Sequence, residues 1–509
     1  MKTLNTLAIG LFVISSSAFG SPNTNFDQQF DILVKQHLPN TAIGLIIQDP
    51  KTGTVLFEHH GQDNFYPASN TKLFTAAAAL KFFGPNFQYQ TSVNAALDKI
   101  KQGTLEDNLY VIFRGDPSFS SADFASLIKQ IKVKGINKIK GNIVIDDTAF
   151  DDVPYAPGWT WDSIPYAYSA PVTSIILDTN KVRVKFNKTE TLNDKIKTDQ
   201  MQDAPNFTLN ADVVAVTKDE AQHSCQLNAK VKNNEISLNG CWPIDKTPTV
   251  VELAIDNPRL LAKNLLKSNL AANQIEFTGD IVFNKAPKNV PTLLTKRSAP
   301  LKVLLKQVLG ESNNIYTESL TKALGLAFLG QGSFQVGIHA IEEILTKDAK
   351  IDFTQLNFSD GSGQSRYNLV SPHLISQLLN HMYQDPQFNV YYNALSTAGK
   401  NGSLAERMKS KEMQGKVVAK TGSALGTSAL SGYFTANNGK QYLFSLMINQ
   451  SLNDTNARKA FEDKLCQMMV NEPWKDGSIT TNQIPKSHNP APTQVKTKAP
   501  VSKLTAIPL

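Results

Sequence analysis

The spacing of apolar residues changes several times along the chain, and each change marks a different kind of element. From about residue 26 a short amphipathic pattern predicts a helix, followed by a strand at AIGLIIQ, a turn at DPKTG, a strand at TVLFEH and a helix beginning near Asn70. Between about residues 88 and 287 the runs shorten, alternate and are punctuated by Pro, Gly and Asn, which predicts strands. One helical stretch there, SADFASLIKQIKVKG, lies between NLYVIFRG and KGNIVIDD. That strand, helix, strand order predicts a small α/β module nested in a mainly β insert. Spacings of three and four return in APLKVLLKQVLG and IYTESLTKALGLAFL. Two further alternating strands, SALSGYFTA and KQYLFSLMINQ, then meet at Asn437-Asn438-Gly439, and a closing helix runs from about Asn456 to Val470.

This order predicts one α/β domain in two halves, residues 21–87 and 288–474, separated by an insert at 88–287 whose nested module covers about 106–164. A chain of 509 residues is in any case too long for a single core. With 41% hydrophobic and 19% charged residues it is globular in composition, and the polar, Pro-rich stretch 475–509 is predicted to be a disordered basic tail.

Charge changes the picture less than its total suggests. The formal net charge is +7, but Lys475, Lys486, Lys496, Lys498 and Lys503 against Asp476 put +4 of it on the tail. The near-neutral remainder gives no footprint for nucleic acid, and the tail supports at most peripheral contact with an anionic surface. Residues 1–20 combine Lys2, the apolar run LAIGLFVI and the small-residue site SAFG, the pattern of a cleaved export signal. Export fits the cysteines. Cys225 and Cys241 flank NNEISLNG and are expected to staple a hairpin, whereas Cys466 sits alone in an apolar helical pattern as a buried thiol.

Candidate chemistry begins with Lys-Thr-Gly, which occurs twice. Lys51-Thr52-Gly53 follows Asp49-Pro50 between two strands and reads as a hairpin turn. Lys420-Thr421-Gly422 ends the strand-like KVVAK, so a cation, the hydroxyls of Thr421 and Ser423, and a side-chain-free Gly422 line a strand to which an extended substrate could add. Ser-x-x-Lys occurs at Ser69/Lys72, Ser126/Lys129 and Ser319/Lys322. Only the first opens a helix, where a serine has free backbone NH groups beside it and a lysine one turn later on the same face. Ser-x-Asn recurs along the chain, and of the matches at Ser21, Ser237, Ser312, Ser451 and Ser487 only Ser312-Asn313-Asn314 lies between two helical patterns of the split domain.

SNTK, SNN and KTGS in that order form the motif set of β-lactamases and penicillin-binding proteins. With RGDPSFS, GNIVIDD, YSAPVTS, DGSGQSRYNLVSP, GSLAERM and the long gap between Ser69 and Ser312, the chain from residue 26 to about 472 resembles the class C low-molecular-mass penicillin-binding proteins, the D-alanyl-D-alanine carboxypeptidase/endopeptidase family. The resemblance implies a serine β-lactamase-like transpeptidase-type domain split by the insert. It also implies peptidoglycan stem peptides and crosslinked muropeptides as substrates, β-lactam antibiotics as acylating inhibitors, a periplasmic location, and no metal or organic cofactor. Ser69 would be the nucleophile and Lys72 its base, with burial and the charge of Lys420 lowering the Lys72 pKa. Ser312 would relay a proton, Asn314 would orient Lys72 and substrate, and the NH groups of Ser69 and Ser423 would bind the oxyanion. Lys420, Thr421 and Ser423 would hold the terminal carboxylate. Arg366 and Asp162 would read the diaminopimelyl side chain, with Tyr168 as an aromatic wall and Leu425 as an apolar group beside it; in related sequences the acid can fall one position later, where this chain has Ser163. Two other readings of the motifs stay open, a β-lactamase-like hydrolase and a non-catalytic peptidoglycan-binding protein on the same fold.

Overall fold

The computed structural model describes residues 24–201 and 207–474. The expected export signal and basic tail lie outside the described residues. Among those described, no helix is long and apolar enough to cross a membrane.

The two ends of the chain build one antiparallel sheet of six strands. Its order is Ser396–Thr397, Val417–Ala424, Thr427–Thr435, Gln441–Asn449, Ala42–Gln48 and Val55–His59. Ala42 pairs with Asn449 and Gln48 with Leu443, so among the described residues the first strand closes against the last. Helices cover both faces. On one side Phe26, Phe30, Phe461 and Leu465 pack on Ile43, Leu45 and Ile47. On the other, Leu73, Leu320, Ile341 and Leu378 pack on Val418, Tyr433 and Met447. This explains why Thr427–Thr435 is buried at eight successive positions, whereas a half-exposed strand alternates.

The insert has its own core. Its main sheet runs Ile281–Phe283, Ile143–Asp146, Leu109–Ile112, Gln90–Ala95 and Thr292–Arg297, with the helices Ser121–Val133 and Pro258–Ala272 packed together against it. Two three-stranded sheets, one from Lys181–Phe186, Thr198–Gln200 and Thr249–Ala254 and the other from Thr208–Val216, Asn228–Lys232 and Glu235–Pro243, lie between its halves in sequence. The nesting is therefore the reverse of the one expected from 106–164: the β unit is inserted into the α/β module. Strand pairing is the reason. Gln90 faces Arg297 and Asn94 faces Thr292, so the insert leaves and returns on neighbouring strands, and the expected boundary at residues 287 and 288 falls before its last strand. Cys225 and Cys241 form a disulfide beside the hairpin of Asn228–Lys232 and Glu235–Pro243, and Cys466 is a buried free thiol.

Candidate active site

Ser69 sits in a 3-10 turn, Ala68–Thr71, that runs directly into the helix Lys72–Phe83. The turn is held from both sides. Thr71 Oγ1 donates to Ala68 O at 3.0 Å, and the buried Asn70 amide donates to Ser431 Oγ at 2.8 Å on the central sheet. Ala68 adopts φ 45°, a left-handed conformation costly for a residue with a Cβ and usually kept only where surrounding structure enforces it.

Lys72 is fully buried one turn beyond Ser69. Its Nζ lies 2.9 Å from Ser69 Oγ, 2.7 Å from Asn314 Oδ1 and 2.7 Å from the carbonyl oxygen of Ser362. Burial brings its pKa down to about 7 against the pull of Asp360 and Glu318. The geometry suits the neutral amine. Two of its neighbours can only accept, so they take its two N–H groups, which leaves the lone pair directed at the Ser69 hydroxyl.

Ser312 lies between the π-helical turn Lys306–Gly310 and the helix Asn314–Leu329, and it too is left-handed, at φ 59°. Lys420, also fully buried, donates to Ser312 Oγ at 2.8 Å and to Thr421 O at 2.7 Å. Its pKa is held well below the usual lysine value by burial and then by the charge of Lys72. Burial is the largest cause lowering both lysines, and the repulsion between the two neighbouring amines opposes charging both at once.

The strand Val417–Ala424 pairs on its outer side only at Ala419 and Val418, with Ser396 and Thr397. Among the described residues no strand covers that edge from Lys420 onward. Thr421 Oγ1 lies 2.7 Å from Ser403 Oγ, and Ser423 is exposed. The role expected of Gly422 changes. A Cβ there would stand 2.9 Å from Pro67 O and 3.2 Å from Ser69 N, so the missing side chain makes room for the nucleophile turn rather than for a substrate backbone.

Of the expected substrate readers, Tyr168 touches the Lys72 site directly, through Asn314. Tyr168 is 54% exposed, stacks on Tyr166 at 5.8 Å, and gives its backbone carbonyl to Asn314 Nδ2 at 2.8 Å. Asp162 is close enough to raise the pKa of both tyrosines, after the larger effect of burial. The guanidinium of Arg366 lies 4.9 Å over the Tyr66 ring. Among the described residues neither Arg366 nor Asp162 forms an ion pair, so both charges are free for a ligand. Leu425 is 89% exposed at the tip of the hairpin after Ser423.

Three residues at the site were not assigned from sequence. Asp360 is the hub of the loop DGSGQSRYN: it accepts from the NH groups of Gly363 (2.8 Å) and Ser365 (2.6 Å), the Asn368 amide (2.8 Å) and Trp159 Nε1 (2.8 Å). Glu318, buried on the Asn314 helix, accepts from the NH groups of Gly361 at 3.1 Å and Ser362 at 2.7 Å, and burial beside Asp360 pushes its pKa up to about 8. Gln364 Oε1 accepts from Asn314 Nδ2 at 2.9 Å, and its amide donates to Ser169 on the insert. A carboxylate inside the apolar helix IYTESLTKALGLAFL was the available signal for Glu318. The competing motif matches have structural roles: Ser319 bonds Tyr89 and Gly115, Lys322 bonds Asp151, and Lys51-Thr52-Gly53 is the turn between the first two strands of the sheet.

Comparison with known proteins agrees with this geometry. Residues 27–471 match the family model described as D-Ala-D-Ala carboxypeptidase 3 (S13). A D-alanyl-D-alanine carboxypeptidase from Actinomadura sp. is 31% identical over 450 residues, covering 85% of this chain and 82% of the relative. The D-alanyl-D-alanine carboxypeptidase DacB of Haemophilus influenzae is 29% identical over 456 residues, 88% of this chain and 94% of the relative. The crystal structure of penicillin binding protein 4 from Haemophilus influenzae superposes with a TM-score of 0.78 at 28% identity, covering 87% of this chain and 99% of the other. Its complex with a β-lactam superposes with a TM-score of 0.73 at 27% identity, with the same coverage.

Proposed function

The chain belongs to the D-Ala-D-Ala carboxypeptidase (S13) family of serine hydrolases, and on that premise we propose that it cleaves peptidoglycan stem peptides through an acyl-enzyme on Ser69. The observation that carries the assignment is the trio of hydrogen bonds at Lys72, which leaves a neutral amine one acceptor position, facing Ser69. Ser69 Oγ attacks the carbonyl of the penultimate D-alanine while its proton passes to Lys72. The oxyanion that develops is bound by the NH groups of Ser69 and Ser423, each such donor contributing about 3 kcal/mol. The C–N bond then breaks, and the proton reaches the departing amine through Ser312. Water releases the acyl group and restores the Ser69 hydroxyl.

A bound substrate also settles the charge of the two lysines. Its terminal carboxylate, held by Lys420, Thr421 and Ser423, is a counter-charge that favours the protonated form of Lys420, and a cation there favours the neutral amine at Lys72. Substrate binding thereby prepares the base. Penicillin offers the same carbonyl and carboxylate in a ring whose amine cannot diffuse away, so it acylates Ser69 and stays.

Arg366 and Asp162, each without an ion partner among the described residues, suit the carboxylate and ammonium of a diaminopimelyl side chain, with Tyr168 as the wall between substrate and insert. The same chemistry applied to a crosslink makes the enzyme an endopeptidase as well as a carboxypeptidase. A disulfide in the insert supports export to the compartment where this substrate lies. The test is mass spectrometry of protein treated with a penicillin, together with D-alanine release from a pentapeptide. The adduct is expected on Ser69, and Ser69→Ala is expected to lose both adduct and release; release retained by that variant would refute the assignment.

A further inference from the structure

A cavity of about 540 Å³ opens at Ser312 and Asn314 and so adjoins the Lys72 site. Its walls come from both parts of the molecule. Gln307, Glu311 and Ser312 belong to the split domain, and Tyr168, Thr179 and Glu252 to the insert. A space of this size matches pockets for ligands of drug-like dimensions, about 300–1,000 Å³, and is far more than one alanine fills.

Three separate backbone irregularities meet at this cavity. Lys306–Gly310 is a π-helical turn, a form found mostly at functional sites. Ser312 is left-handed. On the insert, Asp178, Thr179 and Asn180 are left-handed in succession, at φ 50°, 58° and 48°. That run is tightly fixed: the buried Asn180 amide donates to Pro171 O and Ile175 O and accepts from Leu177 N, each at 3.1 Å. The packing that enforces such strain points Thr179 into the cavity, and strain of this kind collects at ligand sites. Next to it the Lys181–Glu252 pair, at 2.8 Å, places a cation and an anion on the rim.

Chemistry says which part of a substrate comes here. The proton handled by Ser312 must reach the nitrogen that departs, so the departing half of the substrate touches Ser312. Where that half is a single alanine, Lys420 and Thr421 satisfy its carboxylate and nothing remains. In a crosslink the departing amine belongs to a diaminopimelyl residue, which carries a carboxylate at that centre and an arm leading to a second stem peptide. We infer that this cavity is a subsite for that arm, an amide- and carboxylate-rich peptide, and that the insert contributes to catalysis by reading the leaving half of crosslinked substrates. The inference rests on the endopeptidase reading above and adds to it a place for the second stem.

Glu252→Trp tests it, because Glu252 is exposed and a large ring there fills the cavity from the rim. The expected result is at least a tenfold lower kcat/KM on a crosslinked muropeptide dimer, with hydrolysis of an uncrosslinked pentapeptide within twofold of wild type and an unchanged melting temperature. Equal losses on both substrates, or no loss on the dimer, would overturn the subsite. Should wild type leave the dimer uncut, the endopeptidase reading fails on its own. Dimer binding to Ser69→Ala with and without Glu252→Trp then decides the subsite: weaker binding with the tryptophan supports it, and equal affinity ends it.

Discussion

Glu318 accepts the backbone NH of Ser362 at 2.7 Å, and the carbonyl of that same Ser362 accepts from Lys72 at 2.7 Å. The second oxygen atom that takes a proton from Lys72 belongs to Asn314, one helical turn before Glu318. One acceptor that fixes the direction of the Lys72 lone pair is thus held by the Glu318 carboxyl, and the other by the helix that carries it.

Glu318→Gln therefore damages the base without touching substrate. The two NH groups bond different oxygen atoms of Glu318; the amide replaces one of those oxygens with an NH2 donor, and one buried NH left without an acceptor costs about 1–3 kcal/mol. The rate of acylation by a fluorescent penicillin is expected to fall between about tenfold and a hundredfold.

The pH dependence of wild type follows from Lys72. The reactive form is the neutral amine, so acylation should rise as pH passes upward through about 7 and fall about tenfold per unit below it. Stopped-flow acylation between pH 5 and 9 measures it, and a rate flat across neutrality would contradict the assignment of Lys72 as base.

Gly422→Ala tests the close approach of strand and nucleophile. The added Cβ meets Pro67 O and Ser69 N, both backbone atoms, so the turn carrying Ser69 must shift by a few tenths of an ångström. A misplacement near 1 Å costs about a hundredfold, and a loss of tenfold or more in acylation rate is expected here with little change in melting temperature. Wild-type kinetics would show that the turn tolerates the crowding.

Arg366→Ala separates recognition from chemistry. The guanidinium is stacked on Tyr66 and has no anionic partner among the described residues. Its loss should raise KM for a diaminopimelyl pentapeptide about tenfold, the value of one charged hydrogen bond, and leave acylation by a penicillin lacking that side chain within about threefold. Equal effects on both would place the arginine in the scaffold instead.

Much of this site is readable in the sequence because its motifs are local. Ser69 and Lys72 are one turn apart, Ser312 and Asn314 share the start of one helix, and Lys420 to Ser423 share one strand, so spacing alone brings each set to one place. Asp360 and Glu318 were hidden for the opposite reason. DGSG reads as an ordinary turn, and the partners that give Asp360 its importance, Trp159 and Asn368, are chosen by tertiary structure. The same limit explains the nesting of the insert. Alternation marks Gln90–Ala95 as a strand but says nothing of its partner, Thr292–Arg297, which lies on the far side of the β unit. Gly422 fell between the two cases, since its position was legible and its neighbour was not.

The pairing of Ala42–Gln48 with Gln441–Asn449 has a consequence for biogenesis. A polypeptide emerging from a ribosome or a translocation channel can complete the insert early, because both of its bordering strands appear well before the end. The central sheet must wait for almost the entire chain. The nucleophile consequently has no pocket to work in until synthesis is nearly finished, and any fragment cut short before that last strand is born inert.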